Sequence, residues 1–212
     1  KPDRRQRQMC IRDSPDTFAK PAYRTLVKAF YTQKGLYVGI DMEQPAETLV
    51  RRLSSRDSYV RRDSVGVYLD TSGEGRYGYW MTVALGGSQS DGTLLPERQF
   101  SRDWDGAWYS GTQLTKTGWS AEFFLPWSQV AMPQNAGQRT IKVYLSRKVA
   151  HLDEDWSLPA LPRTQPLFMS RMQPLMLDGV APVQNWSVFP YLSSTNDFVR
   201  GDVSNKIGAD LF

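Results

Sequence analysis

The stretch 56–108 alternates apolar and polar residues in short runs. In segment 64–70 the aliphatic residues recur at every second position, a period that places them on one face of a β-strand. The aromatic and β-branched run 77–85 follows, and segment 71–75 between the two runs has turn-forming residues. The pattern predicts a β-hairpin with one buried face and with acids, Arg and Trp around its rim.

Similar runs occur on both sides of this hairpin. Further strands are predicted at 23–31, 36–42, 108–114, 118–125, 141–149 and 167–177. Short helical turns are predicted at 45–53 and 126–130, a hairpin loop at 86–92, and an irregular polar segment at 151–166. Many short strands with almost no helix predict an all-β protein, an antiparallel β-sandwich of jelly-roll type with one solvated face on each sheet.

The 212 residues are expected to contain one sandwich and an additional piece. Residues 1–14 lack a useful periodicity, which predicts a non-native or disordered basic leader. Residues 15–182 are predicted to form the sandwich. Residues 183–212 contain strand starts that do not complete a unit, and we interpret them as the truncated start of a second β region.

Composition excludes several classes of function. The formal net charge is +4, but five basic and only two acidic side chains lie in residues 1–14, so the remaining chain is nearly neutral. A basic face for nucleic acid is therefore not expected. The single Cys10 excludes an internal disulfide and a cysteine-based zinc site.

Several motifs occur in an order that is more specific than any one of them. They are Leu36–Ile40, Arg56–Asp57, Asp63–Asp70, Gly78–Tyr79, Trp104–Trp108 and Gly118–Pro126. Over residues 23–182 this pattern resembles the family 9 carbohydrate-binding-module-like domain, in the version found at the N-terminus of bacterial proteins whose remainder is a predicted outer-membrane β-barrel.

The resemblance implies a β-sandwich that binds an oligosaccharide or polysaccharide, with bound calcium in some relatives. It also implies an extracytoplasmic location, in the periplasm or outer membrane, and a C-terminal β-barrel-like region in cis as a partner. The family's usual opening segment has no counterpart in this sequence.

Sugar recognition requires flat apolar surfaces together with polar groups that bind adjacent hydroxyls. Three Trp residues in or beside polar loops are the expected platforms: Trp156, which has the most polar neighbours, Trp104 and Trp108. By contrast, Trp80, Trp119 and Trp127 lie in strand or turn patterns that favour the core.

Charged pairs near the central strand have two interpretations. Arg56, Asp57 and Asp105 are candidate sugar-binding residues, because carboxylate and guanidinium groups present two atoms at the spacing of neighbouring hydroxyls. The alternative is an Arg–carboxylate brace that holds a loop against the end of the sheet. Asp63, Asp70 and Asp91 are weak candidates for calcium, which prefers oxygen ligands, although their spacing matches no EF-hand loop.

Catalysis has little support in the sequence. His151 is the only histidine, and no Gly-x-Ser-x-Gly motif is present. Glycoside hydrolysis needs only two carboxylates, and Asp57, Asp105 and Glu122 are candidates. We therefore expect a non-catalytic carbohydrate-binding module that acts in polysaccharide use. An O-glycosyl hydrolase and a structural module that docks on a β-barrel are the alternatives.

Overall fold

The computed structural model describes residues 7–11, 20–96, 98–134, 137–162, 164–181, 188–197 and 202–211. The chain divides into two units, residues 1–182 and residues 183–212, which are described separately. Among the described residues, no helix has the length and apolar character needed to cross a membrane.

The first unit contains twelve strands and three short 3-10 turns in the described part of the chain. The strands are β1 Arg7–Cys10, β2 Thr25–Tyr31, β3 Gly35–Glu43, β4 Ser64–Asp70, β5 Gly78–Ala84, β6 Gln89–Leu95, β7 Gln99–Ser101, β8 Tyr109–Leu114, β9 Gly118–Pro126, β10 Arg139–Val149, β11 Glu154–Leu158 and β12 Gln173–Leu177. The 3-10 turns are Ala46–Thr48, Trp127–Gln129 and Met169–Arg171.

These strands form two antiparallel sheets. The five-stranded sheet has the order β1-β2-β3-β9-β8. The seven-stranded sheet has the order β11-β10-β4-β5-β6-β7, and β12 pairs with the first half of β10. All strand pairs are antiparallel, so the predicted fold class of an all-β antiparallel sandwich is confirmed.

The core lies between the two sheets and follows the period of two along each strand. The five-stranded sheet contributes residues such as Val27, Ile40 and Trp119, and the seven-stranded sheet contributes residues such as Leu69 and Met81. All five side chains are at most 1% exposed. Burial of these side chains is the main force that holds the sheets together.

Part of the outer face of the seven-stranded sheet is covered as well. The segment between β11 and β12 places Phe168, Met169 and Met172 against Trp80 and Tyr144 in a second apolar cluster. The expected solvated face of this sheet is therefore only partly open.

The predicted hairpin of β4 and β5 is confirmed. The strands predicted at 23–31 and 36–42, and at 108–114 and 118–125, also pair as hairpins, β2 with β3 and β8 with β9. The two predicted helical turns are present as the short 3-10 turns Ala46–Thr48 and Trp127–Gln129.

Two predictions of irregular structure were wrong. Gln89 to Gly92, predicted as loop, begin β6, and residues 154–158, predicted as irregular, form β11. The polar start of β6 and the short length of β11 gave no clear alternation of apolar and polar residues. Arg7–Cys10, which lie in the predicted non-native or disordered leader, pair with β2 as an edge strand.

The second unit is a two-stranded hairpin of β13 Val188–Asp197 and β14 Asp202–Leu211. The predicted strand starts in residues 183–212 therefore extend into two paired strands of ten residues each.

Leu69→Ala tests the packing of the two sheets. Leu69 is fully buried between them, so its truncation leaves a cavity and we expect a loss of about 2 to 5 kcal/mol in the free energy of unfolding. Leu53→Ala is the matched control, because Leu53 is 74% exposed. Urea unfolding monitored by Trp fluorescence measures both variants, and equal midpoints for the two would contradict the assigned core.

Candidate functional site

A cavity of about 570 Å³ opens on the outer face of the seven-stranded sheet. Its floor consists of outward-facing residues of β4, β5, β6 and β10, most of which carry a hydroxyl group: Ser64, Tyr68, Thr82, Ser90 and Ser146. We call it the hydroxyl-lined cavity. Hydroxyl groups both donate and accept hydrogen bonds, so this floor suits a ligand that is itself rich in hydroxyls.

Gly66 keeps the middle of this floor open. An added Cβ atom would lie 2.9 to 3.0 Å from the Tyr68 ring and from the hydroxyls of Ser146 and Thr82. A side chain here would crowd all three neighbours, and it would fill the space directly above the sheet.

One end of the cavity is aromatic. Trp80 and Tyr68 line it, and both rings meet the ring of Phe100 edge to face, with centroids 6.4 and 6.1 Å away. Phe100 is 50% exposed. Burial raises the pKa of Tyr68, so its hydroxyl remains protonated and can donate a hydrogen bond at neutral pH.

Tyr59 stands on the rim of the cavity, in the segment 49–63 that crosses the end of the sheet. Its ring is 81% exposed, the largest exposure of any aromatic ring in the described part of residues 1–182. A planar ring held at the edge of a polar cavity presents a surface against which the C–H groups of a sugar can pack.

Charged side chains line another part of the cavity wall. The Lys148 ammonium group lies 2.9 Å from Asp153 and 3.6 Å from Asp155. Burial lowers the pKa of Lys148, but the hydrogen bond to Asp153 and the two carboxylates outweigh that effect and leave the pKa raised. The hydrogen bond from Lys148 lowers the pKa of Asp153. This part of the wall therefore presents one ammonium group paired with two carboxyl groups.

The irregular segment 49–63 is held in place by the buried carboxylate of Asp63. One oxygen, Oδ2, accepts hydrogen bonds from the Val50 backbone at 2.7 Å and the Gln44 amide at 3.0 Å. The other, Oδ1, accepts one from the Ala150 backbone at 2.8 Å. Asp63 thereby ties the start of the segment to its end and to the end of β10.

Arg56 holds the middle of the same segment. Its guanidinium lies 2.7 Å from Asp91 and 2.7 Å from Asp105, and it donates to the carbonyl of Gly106. Asp57 accepts a hydrogen bond from the backbone N–H of Asp91 and also lines the hydroxyl-lined cavity. These contacts correspond to the brace that was one of the two interpretations of the Arg–carboxylate pairs.

Trp156 was predicted as an exposed platform, and this prediction was wrong. It lies in β11, is 0% exposed, and packs with Ile11 and Val149 beside the guanidinium of Arg147. Its polar neighbour Asp155 faces the cavity instead. Alternation along β11 therefore separates the indole from the polar residues that suggested its exposure.

The other two predicted platforms are also packed against protein. Trp108 is 4% exposed and stacks on Phe123 inside the core, so its assignment as an exposed platform was wrong. Trp104 is half-buried and packs against Tyr79 with ring centroids 4.8 Å apart. By contrast, the predicted core residues Trp80, Trp119 and Trp127 are buried as expected.

The three acids predicted as calcium ligands do not share a site. Asp63 and Asp70 lie just before and at the end of the same strand, β4, and Asp91 lies in β6. Each is occupied by hydrogen bonds: Asp70 accepts from Ser72, Gly73 and Gly75, and Asp91 from Arg56 and Gly106. Among the described residues, no group of three His, Cys, Asp or Glu side chains could hold a metal ion.

Two of the three candidate acids for glycoside hydrolysis lie near each other. Asp57 and Asp105 both pair with Arg56, at 3.8 and 2.7 Å, whereas Glu122 faces outward on the other, five-stranded sheet. The carboxylates that line the cavity are Asp57, Asp153 and Asp155.

Sequence reasoning missed most of the cavity. Tyr59 lies among the arginines of segment 51–62, whose polar character gives no sign of a binding site, and the serines and threonine of the floor resemble any exposed strand face. A usable signal was present in 64–68, where Ser64, Gly66 and Tyr68 alternate with buried Val65 and Val67.

No protein-family model matches the sequence, and no curated protein matches it. Solved structures do match. A family 9 carbohydrate-binding module from Caldicellulosiruptor kristjanssonii in complex with cellotriose has a TM-score of 0.57 at 13% identity, over 84% of this chain and 88% of that chain. A family 9 carbohydrate-binding module from the same organism in complex with glucose has a TM-score of 0.52 at 14% identity, over 82% of this chain and 86% of that chain.

A candidate carbohydrate-binding protein from Bacteroides uniformis is similar as well, with a TM-score of 0.60 at 13% identity over 80% of this chain and 85% of that one. The chain therefore has the β-sandwich fold of family 9 carbohydrate-binding modules.

Asp63→Asn tests the tie that holds segment 49–63. An amide keeps one acceptor but points its NH₂ group at a backbone N–H, so a buried donor loses its partner. We expect the free energy of unfolding to fall by about 2 to 4 kcal/mol. Chemical denaturation measures the loss, and hydrogen exchange checks for faster exchange in 49–63. Asp103→Asn is the control, because Asp103 is exposed; equal effects of both substitutions would contradict the role of Asp63.

Proposed function

We propose that the first unit is a non-catalytic carbohydrate-binding module and that the hydroxyl-lined cavity is its binding site. The observation that carries the proposal is the cavity itself, a hydroxyl-bearing floor with an aromatic end, an exposed Tyr59 on the rim and a charged wall. Its volume of about 570 Å³ lies within the range of roughly 300 to 1,000 Å³ typical of small-ligand sites.

The chemistry of the lining supports a saccharide over other small ligands. Pyranose rings have apolar faces of C–H groups and a girdle of hydroxyls, and Tyr59 and the hydroxyl floor complement these two features. Lys148 donates and Asp155 accepts, so two neighbouring sugar hydroxyls could each find a partner on one wall. The sugars in the complexes of the similar modules, glucose and cellotriose, are accordingly the first ligands to test.

Tyr59→Ala should weaken saccharide binding, because it removes the exposed ring from the rim. We expect an increase in Kd of about 5- to 20-fold, which corresponds to roughly 1 to 2 kcal/mol. Isothermal titration calorimetry with glucose, cellotriose and a panel of other oligosaccharides measures the change. Tyr59→Phe keeps the ring and is the matched control, with binding expected within about twofold of the wild type.

Two results would contradict this assignment. If the folded protein binds none of the saccharides tested, the proposed function is contradicted. If Tyr59→Ala binds as tightly as the wild type, Tyr59 does not belong to the site. Turnover of aryl glycosides that is lost in Asp155→Asn would instead support the hydrolase alternative.

We also propose that residues 183–212 begin a β-barrel-like region of an outer-membrane protein, which would place the module in the periplasm or at the outer membrane and link it to polysaccharide use. The hairpin supports this proposal by its length, since strands of ten residues match the roughly 9 to 11 residues of a transmembrane β-strand.

The two faces of the hairpin differ in polarity. The more apolar face carries Leu192 and Ile207, which are paired in register and are 74% and 86% exposed, together with Val203 and the polar pair of Ser194 and Asn205. The other face carries Ser193 and its partner Lys206, and also Tyr191.

Strands of an outer-membrane barrel likewise present a more apolar face to lipid than to the lumen, and a two-stranded hairpin is at best marginally stable alone.

Cysteine scanning tests this second proposal. With Cys10→Ser as background, single cysteines at positions 190 to 195 in the full-length gene product can be probed in outer-membrane vesicles. Even-numbered positions should resist a water-soluble maleimide, because they would face lipid, and odd-numbered positions should react. Uniform reactivity along β13, or recovery of the protein only in the soluble fraction, would contradict a membrane-embedded hairpin.

A further inference from the structure

We propose a second saccharide-binding site on the outer face of the five-stranded sheet, independent of the hydroxyl-lined cavity. A cleft of about 520 Å³ lies there, over β2, β3, β9 and β8. Two glycines form its floor, four aromatic rings form one side, and a lysine and a glutamate stand beside the glycines. We call it the glycine cleft, defined by Gly39, Gly111, Tyr37, Phe124 and Tyr109.

The two glycines have no structural explanation within the described residues. A Cβ atom added at Gly111 would meet nothing within 4 Å, and one added at Gly39 would meet only a backbone oxygen at 4.0 Å. Neither has the positive φ that favours glycine. Both lie inside strands, where glycine costs roughly 0.5 to 1 kcal/mol relative to alanine, and a glycine in such a place often marks close approach by a ligand.

Both glycines belong to one row that runs across the strands. Lys28 pairs with Gly39, Gly39 with Glu122, and Glu122 with Gly111. With neighbouring strands about 4.8 Å apart, the row forms two depressions, one on each side of Glu122. The backbone at the floor of each depression is accessible to a ligand without an intervening side chain.

A row of stacked aromatic rings borders the depressions. The ring centroids of Phe30 and Tyr37 are 4.7 Å apart, those of Tyr37 and Phe124 4.4 Å, and those of Phe124 and Tyr109 5.9 Å, with interplanar angles of 5°, 16° and 17°. The row is thus a rigid apolar wall. Tyr109 ends it at β8 and is 63% exposed, so its outer surface is available for stacking.

Lys28 and Glu122 supply complementary hydrogen-bonding groups. Both side chains are exposed on the row that includes the glycines. Lys28 can only donate and a Glu carboxylate can only accept, so together they complement hydroxyl groups, which do both.

These features favour a saccharide as the occupant. A protein partner would need an interface with a broad apolar centre, whereas here an apolar wall stands beside two narrow depressions with a donor and an acceptor within reach. A ligand with flat apolar faces and a rim of hydroxyls matches this arrangement, and a short neutral oligosaccharide has that form.

Gly111→Val separates a binding role from a structural one. Valine suits an exposed strand position, so the melting temperature should stay the same or rise, while the added side chain fills one depression and should raise the Kd at this site by about 10-fold or more. Gln113→Val is the matched control, because Gln113 lies on the same face of β8 but outside the cleft. Amide chemical shifts of the ¹⁵N-labelled protein during titration with cellotriose, xylotriose and mannotriose assign binding to either sheet.

The expected result is perturbation of amides around 37–39, 109–111 and 122–124 that disappears in Gly111→Val and persists in Gln113→Val and Tyr59→Ala. The proposal is overturned if these amides do not respond to any of the three sugars, or if Gly111→Val binds at this face as the wild type does. If only amides of the five-stranded sheet respond, the glycine cleft is a binding site and the hydroxyl-lined cavity is not. If only amides of the seven-stranded sheet respond, the opposite holds. The two proposals can therefore fail separately.

Discussion

The structure around the hydroxyl-lined cavity depends on one buried carboxylate. Segment 49–63 has almost no regular secondary structure, yet it must hold Tyr59 above the sheet. Asp63 accepts hydrogen bonds from Gln44 and Val50, and from Ala150, which is 87 residues away in the chain. A buried carboxylate is tolerated only where such bonds replace water, which explains why Asp63 stabilises the loop.

Three arginines of the same loop also hold it in place through hydrogen bonds and ion pairs. Arg56 joins Asp91 and Asp105, and Arg61 and Arg62 donate to backbone carbonyls at Ala150, Arg52 and Ser58. The loop therefore has many polar ties where a strand would have its ladder. A rim fixed in this way loses little conformational freedom when a ligand arrives, which favours affinity.

The alternation of apolar and polar residues was sufficient to predict the strands and the sandwich, because a period of two is a local property and each buried face is encoded by six to nine consecutive residues. The site was less accessible to such reasoning. Trp156 is surrounded by acids in sequence, but it lies opposite Arg147 in the sheet. The guanidinium of Arg147 in turn hydrogen-bonds Glu43 and Gln44, which are 104 and 103 residues away in the chain.

Contacts such as those of Arg147 with Glu43 and Gln44 leave no trace in a short window of the sequence, and neither does the convergence of scattered serines on one floor. Tyr59 could be recognised only after the loop that carries it had been placed.

The bare backbone at Gly66 has a consequence for how such a module can change. Because Gly66 has no side chain, it sets the depth of the hydroxyl-lined cavity. The formation of the strands around it depends on other residues. Substitutions at this single point could thus alter which ligands enter while the scaffold persists, so that selectivity and architecture can evolve at separate positions in the chain.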